Sequence, residues 1–353
     1  MVVYLVKKIL LIGPDYFGIN NSVANAFSEI GNKVITYNFC EKYPVNHINK
    51  ITHGLLSKFK INYFIKKYDV QINREIVNIY NDFIPDIVFI IKGHKILEST
   101  LVHMNKSKLI LWMMDSVKRV PNVFNTLRLY DLIYVFEEKD VNYLKNMNIV
   151  ARHLPLALDN KLYKYNPDFV EKKYDITFIG SLYQERIDVL KKIIDRYPNK
   201  IFLIKGFFPS WKISLRNLDL RFGKYKKYFS ITSVKENDVS KIYSKSRIVL
   251  NLHQNFDHSG TNLRFFEIAG TKSTQIVNKK SLISENFDIS PLLFESYDEL
   301  FVVIEDIFKE KIDVRTITEK LYHEVMLNHT FTNRVKRVLN DVFHINETEY
   351  KGK

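Results

Sequence analysis

Short apolar runs rich in Ile and Val recur along the chain, separated by longer segments whose apolar positions return every three or four residues. In the first half the runs are Ile9–Ile12, Val34–Tyr37, Ile87–Ile91, Leu109–Met114 and Leu132–Phe136. In the second half they are Asp175–Ile179, Ile201–Lys205, Phe229–Thr232, Ile248–Leu252 and Thr274–Val277. Most are continuous rather than alternating, the pattern of parallel strands buried on both faces with helices crossing over them. The chain therefore reads as two α/β units. A stretch rich in Tyr, Asn, Pro, Asp and Lys, from Pro155 to Lys173, reads as the connection between them. The expected boundaries are 1–160 for a Rossmann-like first domain, 173–328 for a second, and 329–353 for a closing helix and tail packing back on the first. That helix has apolar positions at Phe331, Val335, Val338, Leu339 and Val342. From Leu55 to Ile84, Phe59, Tyr63, Phe64, Tyr68, Ile72, Ile76, Ile79 and Tyr80 stand at loosely helical spacing. Ordinary helix packing is the favoured reading there, over a partner-, acceptor- or membrane-facing surface.

The length of 353 residues, 46% of them hydrophobic, suits two cores. A net charge of +14, from 53 Lys+Arg against 39 Asp+Glu, favours anionic partners: nucleotide diphosphates, an acidic membrane surface or nucleic acid. The lysines are scattered rather than massed in a tail, so charge alone selects none of these. Cys40 is the only cysteine, which excludes an intrachain disulfide framework and any cysteine-rich metal site. Two lysines interrupt the Met1–Ile12 start, and no stretch approaches a spanning length of apolar residues, so the expected location is cytoplasmic, with contact at the inner membrane face left open.

The densest candidate chemistry lies between two apolar strands, in His253–Gly270 (HQNFDHSGTNLRFFEIAG). It is a polar, glycine-containing loop feeding a short helix. Ser259, Thr261 or Asn262 can cap that helix, whose free amides and dipole favour a diphosphate. Arg264 can add a charge-assisted contact, while Glu267 suits a pair of ribose or sugar hydroxyls or, alternatively, an i,i+3 ion pair with Arg264. His253 follows the strand and can line the pocket. A second strand–turn–helix, Asp175–Arg186, offers Gly180 for close backbone approach, Ser181 as a cap and hydroxyl, and Arg186 for phosphate. Lys205, just before Gly206, is a further phosphate candidate.

These pieces, with Tyr243–Asn251 (YSKSRIVLN), Leu263–Gly270 and His329–Arg334 (HTFTNR), resemble the CgeB-like, group-1-related glycosyltransferases of GT-B fold, and their order spans most of the second half. The first half resembles that family through Pro85-Asp86 and Trp112–Asp115. The resemblance implies two Rossmann-like domains facing across a cleft. It implies a UDP- or GDP-linked sugar held by the second domain, with Glu267 on ribose hydroxyls and Gly180, Ser181, Arg186 and Arg264 around the diphosphate. The acceptor would be a hydroxyl of a surface polysaccharide, a protein or a small glycoside. The turn Gly270–Ser273 departs from the family, with Lys272 and Ser273 where small or apolar residues are usual.

Transfer requires a stabilised leaving diphosphate and a deprotonated acceptor hydroxyl. Arginines, lysines and helix amides do the first without a metal, and the sequence has no compact Asp-x-Asp or histidine cluster after a strand; His253, Asp257 and His258 alone make a weak metal set. No tightly bound cofactor is expected. For the base, Asp115 at a strand's carboxyl end and His94 in Lys92–Lys95 are rivals. Gly13–Gly18 lacks dinucleotide spacing and reads instead as part of the acceptor face. Two competing readings are a sugar-nucleotide epimerase or hydrolase, and a basic nucleic-acid-binding protein using patches such as Lys224–Tyr228; no recognised nucleic-acid motif accompanies those patches.

Overall fold

The computed structural model describes residues 6–39, 62–167, 171–253 and 259–350. Cys40, Phe59, Asp257 and His258 lie outside the described residues. The chain divides into two compact units, Met1–Pro155 with Phe331–Lys353, and Leu156–Thr330.

In the first unit the strands are β1 Lys8–Gly13, β2 Lys33–Asn38, β3 Ile87–Ile91, β4 Lys108–Met113, β5 Leu132–Val135 and β6 Arg152–His153. They form a parallel sheet in the order β2-β1-β3-β4-β5-β6. Ile9, Leu10, Leu11 and Ile12 are fully buried, as expected of a strand covered on both faces. Of the Leu55–Ile84 segment, the described helix Asn62–Phe83 turns Ile72, Ile76, Tyr80 and Phe83 into this core. The helix Phe331–Tyr350 belongs to the same unit. Phe331 meets the buried Trp112 ring edge-on at 6.2 Å, Val335, Val338, Leu339 and Val342 are buried, and Asp341 accepts from Tyr134 (2.6 Å) and pairs with Arg152 (2.8 Å).

The second unit has β7 Tyr174–Ile179, β8 Phe202–Lys205, β9 Phe229–Ser230, β10 Ser246–Asn251, β11 Gln275–Asn278 and β12 Leu293–Phe294, all parallel, in the order β12-β11-β10-β7-β8-β9. Each unit's strand order reverses at one place, beside β1 in the first and between β7 and β10 in the second. Loops leaving neighbouring strands part there and open a crevice at the carboxyl edge. Among the described residues no helix is long and apolar enough to cross a membrane.

Two features differ from the sequence reading. The two-residue strands β6 and β12 are too short to leave a periodic signal. The Pro155–Lys173 connection is largely part of the second unit: Leu156, Ala157, Leu158 and Tyr163 are buried, and the Leu158 amide donates to the His329 carbonyl at 2.8 Å. Its polar composition hides these apolar anchors.

One glycine is fixed by close approach. A Cβ on Gly206 would lie 2.0 Å from the Gly180 carbonyl oxygen, because the turns after β7 and β8 touch. Gly206→Ala is expected to destabilise the protein by about 1–3 kcal/mol, the order of an overpacked site, and toward the upper end because the neighbour is backbone. Urea denaturation checks this, and an unchanged midpoint would contradict the packing.

Candidate functional site

The turns after β7 and β10 meet at the second unit's switch point. Gly180 and Ser181 follow β7; Leu252 and His253 follow β10. The helix Leu263–Gly270 closes this edge, and of its three candidate caps the structure uses Asn262, whose side-chain oxygen accepts from the Phe265 amide at 3.0 Å. Asn262 also donates to the Asn251 side chain (2.8 Å). Asn251 in turn donates to Gln275 (3.2 Å), and Gln275 to the Phe265 carbonyl (3.0 Å). This buried amide relay fixes the helix start relative to β10 and β11 and leaves the first-turn amides of Leu263 and Arg264 for a ligand or water.

Arg186 reaches back across its own turn, donating to the Ser181 carbonyl at 3.0 Å with its guanidinium over the rings of Phe178 and Tyr183. Ser181 does not cap the following helix, as the sequence reading allowed: the N-cap position of Gln184–Arg196 is Tyr183, and Arg186 takes the Ser181 carbonyl. Burial, followed by the field of Arg264, pulls the Arg186 guanidinium down to about 10 against the opposing influence of Tyr183. It remains a cation at neutral pH. Lys205 ends β8 beside this turn, its carbonyl accepting from the Gly180 amide at 3.0 Å. Ser259 is buried at the start of the described part of the loop.

Arg264 and Glu267 pair with each other, Nη1 to Oε2 at 3.0 Å, and Arg264 also donates to the Tyr243 hydroxyl at 3.0 Å. The Glu267 side chain is only 5% exposed and that of Arg264 28%, so the arginine is the member of the pair that a ligand meets. Tyr163 approaches the pair from the 156–167 segment; burial and then the Glu267 charge push its phenol well above the usual range. The atypical turn after this helix has its own anchor. Lys272 pairs with Glu319 and lies over the Tyr165 ring, so the departure from family pattern serves packing against the helix Val314–Asn328.

His253 accepts from the Asn262 amide through Nε2 at 3.4 Å, while its Nδ1 is buried near the Asn251 carbonyl without a well-formed hydrogen bond. Burial, then the positive fields of Lys280 and Arg186, lower it to about 3. Beside it opens a pocket of about 570 Å³ that includes Asn278, Lys280, Ser284, Phe294 and Glu295 in its lining. Among the described residues no group of three or more His, Cys, Asp or Glu is placed to hold a metal ion.

Asp115 and His94 lie in the first unit, where they share a pocket of about 260 Å³ with Lys92 and Arg119. Asp115 pairs with Lys92 at 2.5 Å and Arg119 at 3.6 Å. It is not the cap of the next turn, because Asp140 takes that task, accepting from Ser116 (3.1 Å) and the Val117 amide (2.8 Å). Lys92 has φ +67° and Gly93 φ +60°, so β3 ends in two consecutive left-handed residues, a strained bend that costs a lysine of order 1 kcal/mol. Lys92 also lies over the Tyr16 ring of the Gly13–Gly18 turn at 5.0 Å. Burial, then Lys92 and Lys95, lower His94 to about 4.

The sequence reading missed Tyr163, Lys280 and the amide relay. Tyr163 is about a hundred residues from the pair it touches, and asparagines and glutamine inside strands carry no motif.

Comparisons with known proteins bear on the fold. Residues 186–340 match the model of a family described as glycosyl transferase-like. A sucrose-phosphate synthase from Thermosynechococcus elongatus superposes with a TM-score of 0.68 at 11% identity, over 96% of this chain and all of that one. The fold is GT-B. An alpha,alpha-trehalose 6-phosphate synthase from Burkholderia multivorans gives 0.63 at 9% identity, over 99% of each chain. A UDP-GlcNAc 2-epimerase from Neisseria meningitidis, bound to UDP-GlcNAc, gives 0.54 at 12%, over 96% of this chain and all of that one. No curated protein matches the chain.

His253 and His94 titrate far below an ordinary imidazole, so unfolding takes up protons between about pH 4 and 6.5, and stability falls as pH drops through that window. In His253→Gln or His94→Gln the urea midpoint should lose part of this acid sensitivity, at most ~1.4 kcal/mol per pH unit for each ring. An unchanged pH slope in both variants would contradict buried, neutral rings.

Proposed function

We propose that the chain is a glycosyltransferase moving a sugar from a nucleoside-diphosphate sugar to an acceptor hydroxyl. The observation that carries this is the convergence, at one switch point, of the Gly180–Ser181 turn, the Arg186 and Arg264 cations and the capped start of Leu263–Gly270. Fixed cations and helix amides around a crevice suit a diphosphate that gains charge as its bond to the sugar breaks. The glycosyl transferase-like match over residues 186–340, which takes in Arg186, Arg264 and the capped helix start, supports the reading, and so does a fold shared with sucrose- and trehalose-phosphate synthases. The narrower CgeB-like likeness rests on the sequence motifs.

In this reading Arg264 and Arg186 face the diphosphate, with Lys205 as a further cation at the same edge. Glu267 orients Arg264 and accepts from ribose hydroxyls when the pair opens to the donor. Gly180, Ser181 and Ser259 shape the backbone around the phosphates, and His253, neutral at physiological pH, lines the pocket in which the nucleoside sits. On the acceptor side, Asp115 or His94 takes the hydroxyl proton. Lys92 and Arg119 keep Asp115 oriented, whereas His94 offers a neutral ring nitrogen. The acceptor is a glycan, protein or small glycoside, and no metal step is needed where arginines, lysine and amides carry the leaving charge.

The second reading, a sugar-nucleotide epimerase or hydrolase, is favoured by the same fold in the UDP-GlcNAc 2-epimerase. Incubation with a panel of UDP- and GDP-sugars, followed by chromatographic separation of isomeric donors and mass analysis, separates them. Transfer gives released nucleotide and a heavier acceptor in a cell extract. Epimerisation gives an isomeric donor with no nucleotide release, and a hydrolase gives free sugar that no acceptor suppresses. UDP or GDP affinity should fall at least about tenfold in Arg264→Ala and in Glu267→Ala with unchanged circular dichroism, the order of one lost charge-assisted contact. Wild-type affinity in both would remove the proposed donor site.

A further inference from the structure

After β8 the second unit carries an apolar ridge that its own core does not use. Phe207 is 45% exposed, Trp211 66%, Leu215 57%, Leu218 48% and Phe222 79%. The last four lie along the helices Trp211–Arg216 and Asp219–Phe222 and the Asn217–Leu218 link that breaks the helix between them, and all four are exposed on this one short segment. The segment is held from behind. Leu220 is buried; Asn217 donates to the Gln184 side chain (2.8 Å) and the Ile213 carbonyl (2.9 Å), and Lys191 pairs with Asp219 at 2.7 Å. These ties fix the segment on the helix Gln184–Arg196 with its large side chains outward.

The charge around the ridge is one-sided. Lys212, Arg216, Arg221 and Lys226 have no carboxylate partner among the described residues, whereas the nearby Asp219 and Asp195 are already neutralised by Lys191 and by Lys224 at 2.6 Å. Exposed Trp, Phe and Leu beside unpaired cations make an interfacial surface: the apolar groups leave water and the cations meet anionic headgroups. Leu215 and Leu218 decide between anionic occupants, since nucleic acid is gripped by stacking on π faces that leucine lacks.

We propose that the Phe207–Phe222 ridge docks the protein on an anionic lipid surface. The ridge starts at the carboxyl edge of its own sheet, where the Leu182 amide donates to the Phe207 carbonyl at 2.9 Å, so docking sets the Gly180–Arg186 turn close to the lipid plane. The inference does not depend on which reaction the crevice performs.

The chain has two tryptophans, and Trp112 is fully buried, so a change in emission on docking reports Trp211. With phosphatidylcholine vesicles containing one third phosphatidylglycerol at low salt, the full-length protein should sediment with the lipid and its emission should move to shorter wavelength. Pure phosphatidylcholine should do neither. Trp211→Phe should abolish the spectral shift, and Trp211→Ser with Phe222→Ser should weaken vesicle binding about tenfold or more. Lys212→Glu with Arg216→Glu should do the same through charge. Absence of both sedimentation and shift in the wild type would overturn the proposal, as would equal binding to neutral vesicles. Undiminished binding by the Trp211/Phe222 variant, or retention of an oligonucleotide without vesicle binding, would also overturn it.

Discussion

The pairing of β7 with β10 is the constraint on which the candidate site depends. Strands adjacent in that sheet but distant in sequence send their following loops apart, so backbone ends and side chains meet in a crevice rather than in packed core. Apart from Lys205 at the end of β8, what is assigned to donor binding hangs from those two strand ends: the Gly180–Ser181 turn with Arg186 on one side, His253 and the Asn262-capped helix on the other. The contact between the Gly206 and Gly180 backbones fixes the β7 end against β8, and the Asn262–Asn251–Gln275 relay fixes the β10 end against β11 and the capped helix. Catalysis by electrostatic stabilisation needs groups that do not reorganise when charge develops, and such an arrangement supplies them.

One cation of the crevice, Arg264, is held by a carboxylate, so its positive charge is not simply additive. Arg264 is held by Glu267 and Tyr243, a triad in which the carboxylate is buried and the arginine side chain is partly exposed. A lone buried carboxylate would be costly, so the pair forms whenever no ligand competes. His253, lying between the fields of Lys280 and Arg186, adds no third positive charge at neutral pH because burial and those cations keep its ring neutral. The first unit repeats the device on a smaller scale, with Lys92 and Arg119 on Asp115 beside a neutral His94.

Much of the fold was legible because both sheets are covered on two faces, which turns each central strand into an uninterrupted apolar run. Runs such as Ile9–Ile12 and Ile87–Ile91 have few other physical readings. The edge strands β6 and β12, two residues each, lie below the resolution of any periodicity, and the buried Leu156–Leu158 were hidden in a polar stretch. At the site, loop position and residue type pointed to Arg186, His253, Arg264 and Glu267. Their partners were not legible: Tyr163 reaches Glu267 only through tertiary folding, and that Asn262 rather than Ser259 or Thr261 caps the helix is decided by the backbone entering it. The exposed ridge at Trp211 and Phe222 was equally invisible, because helical spacing of apolar residues is the same whether they face core or solvent.

Amide hydrogen exchange of the full-length protein, with and without saturating UDP or GDP, tests the central claim most directly. The account predicts slowed exchange on nucleotide binding at Gly180–Arg186 and at Leu263–Phe265, the two backbone segments that frame the switch point. Nucleotide binding that leaves both segments unprotected, or that protects only the first unit, would contradict it.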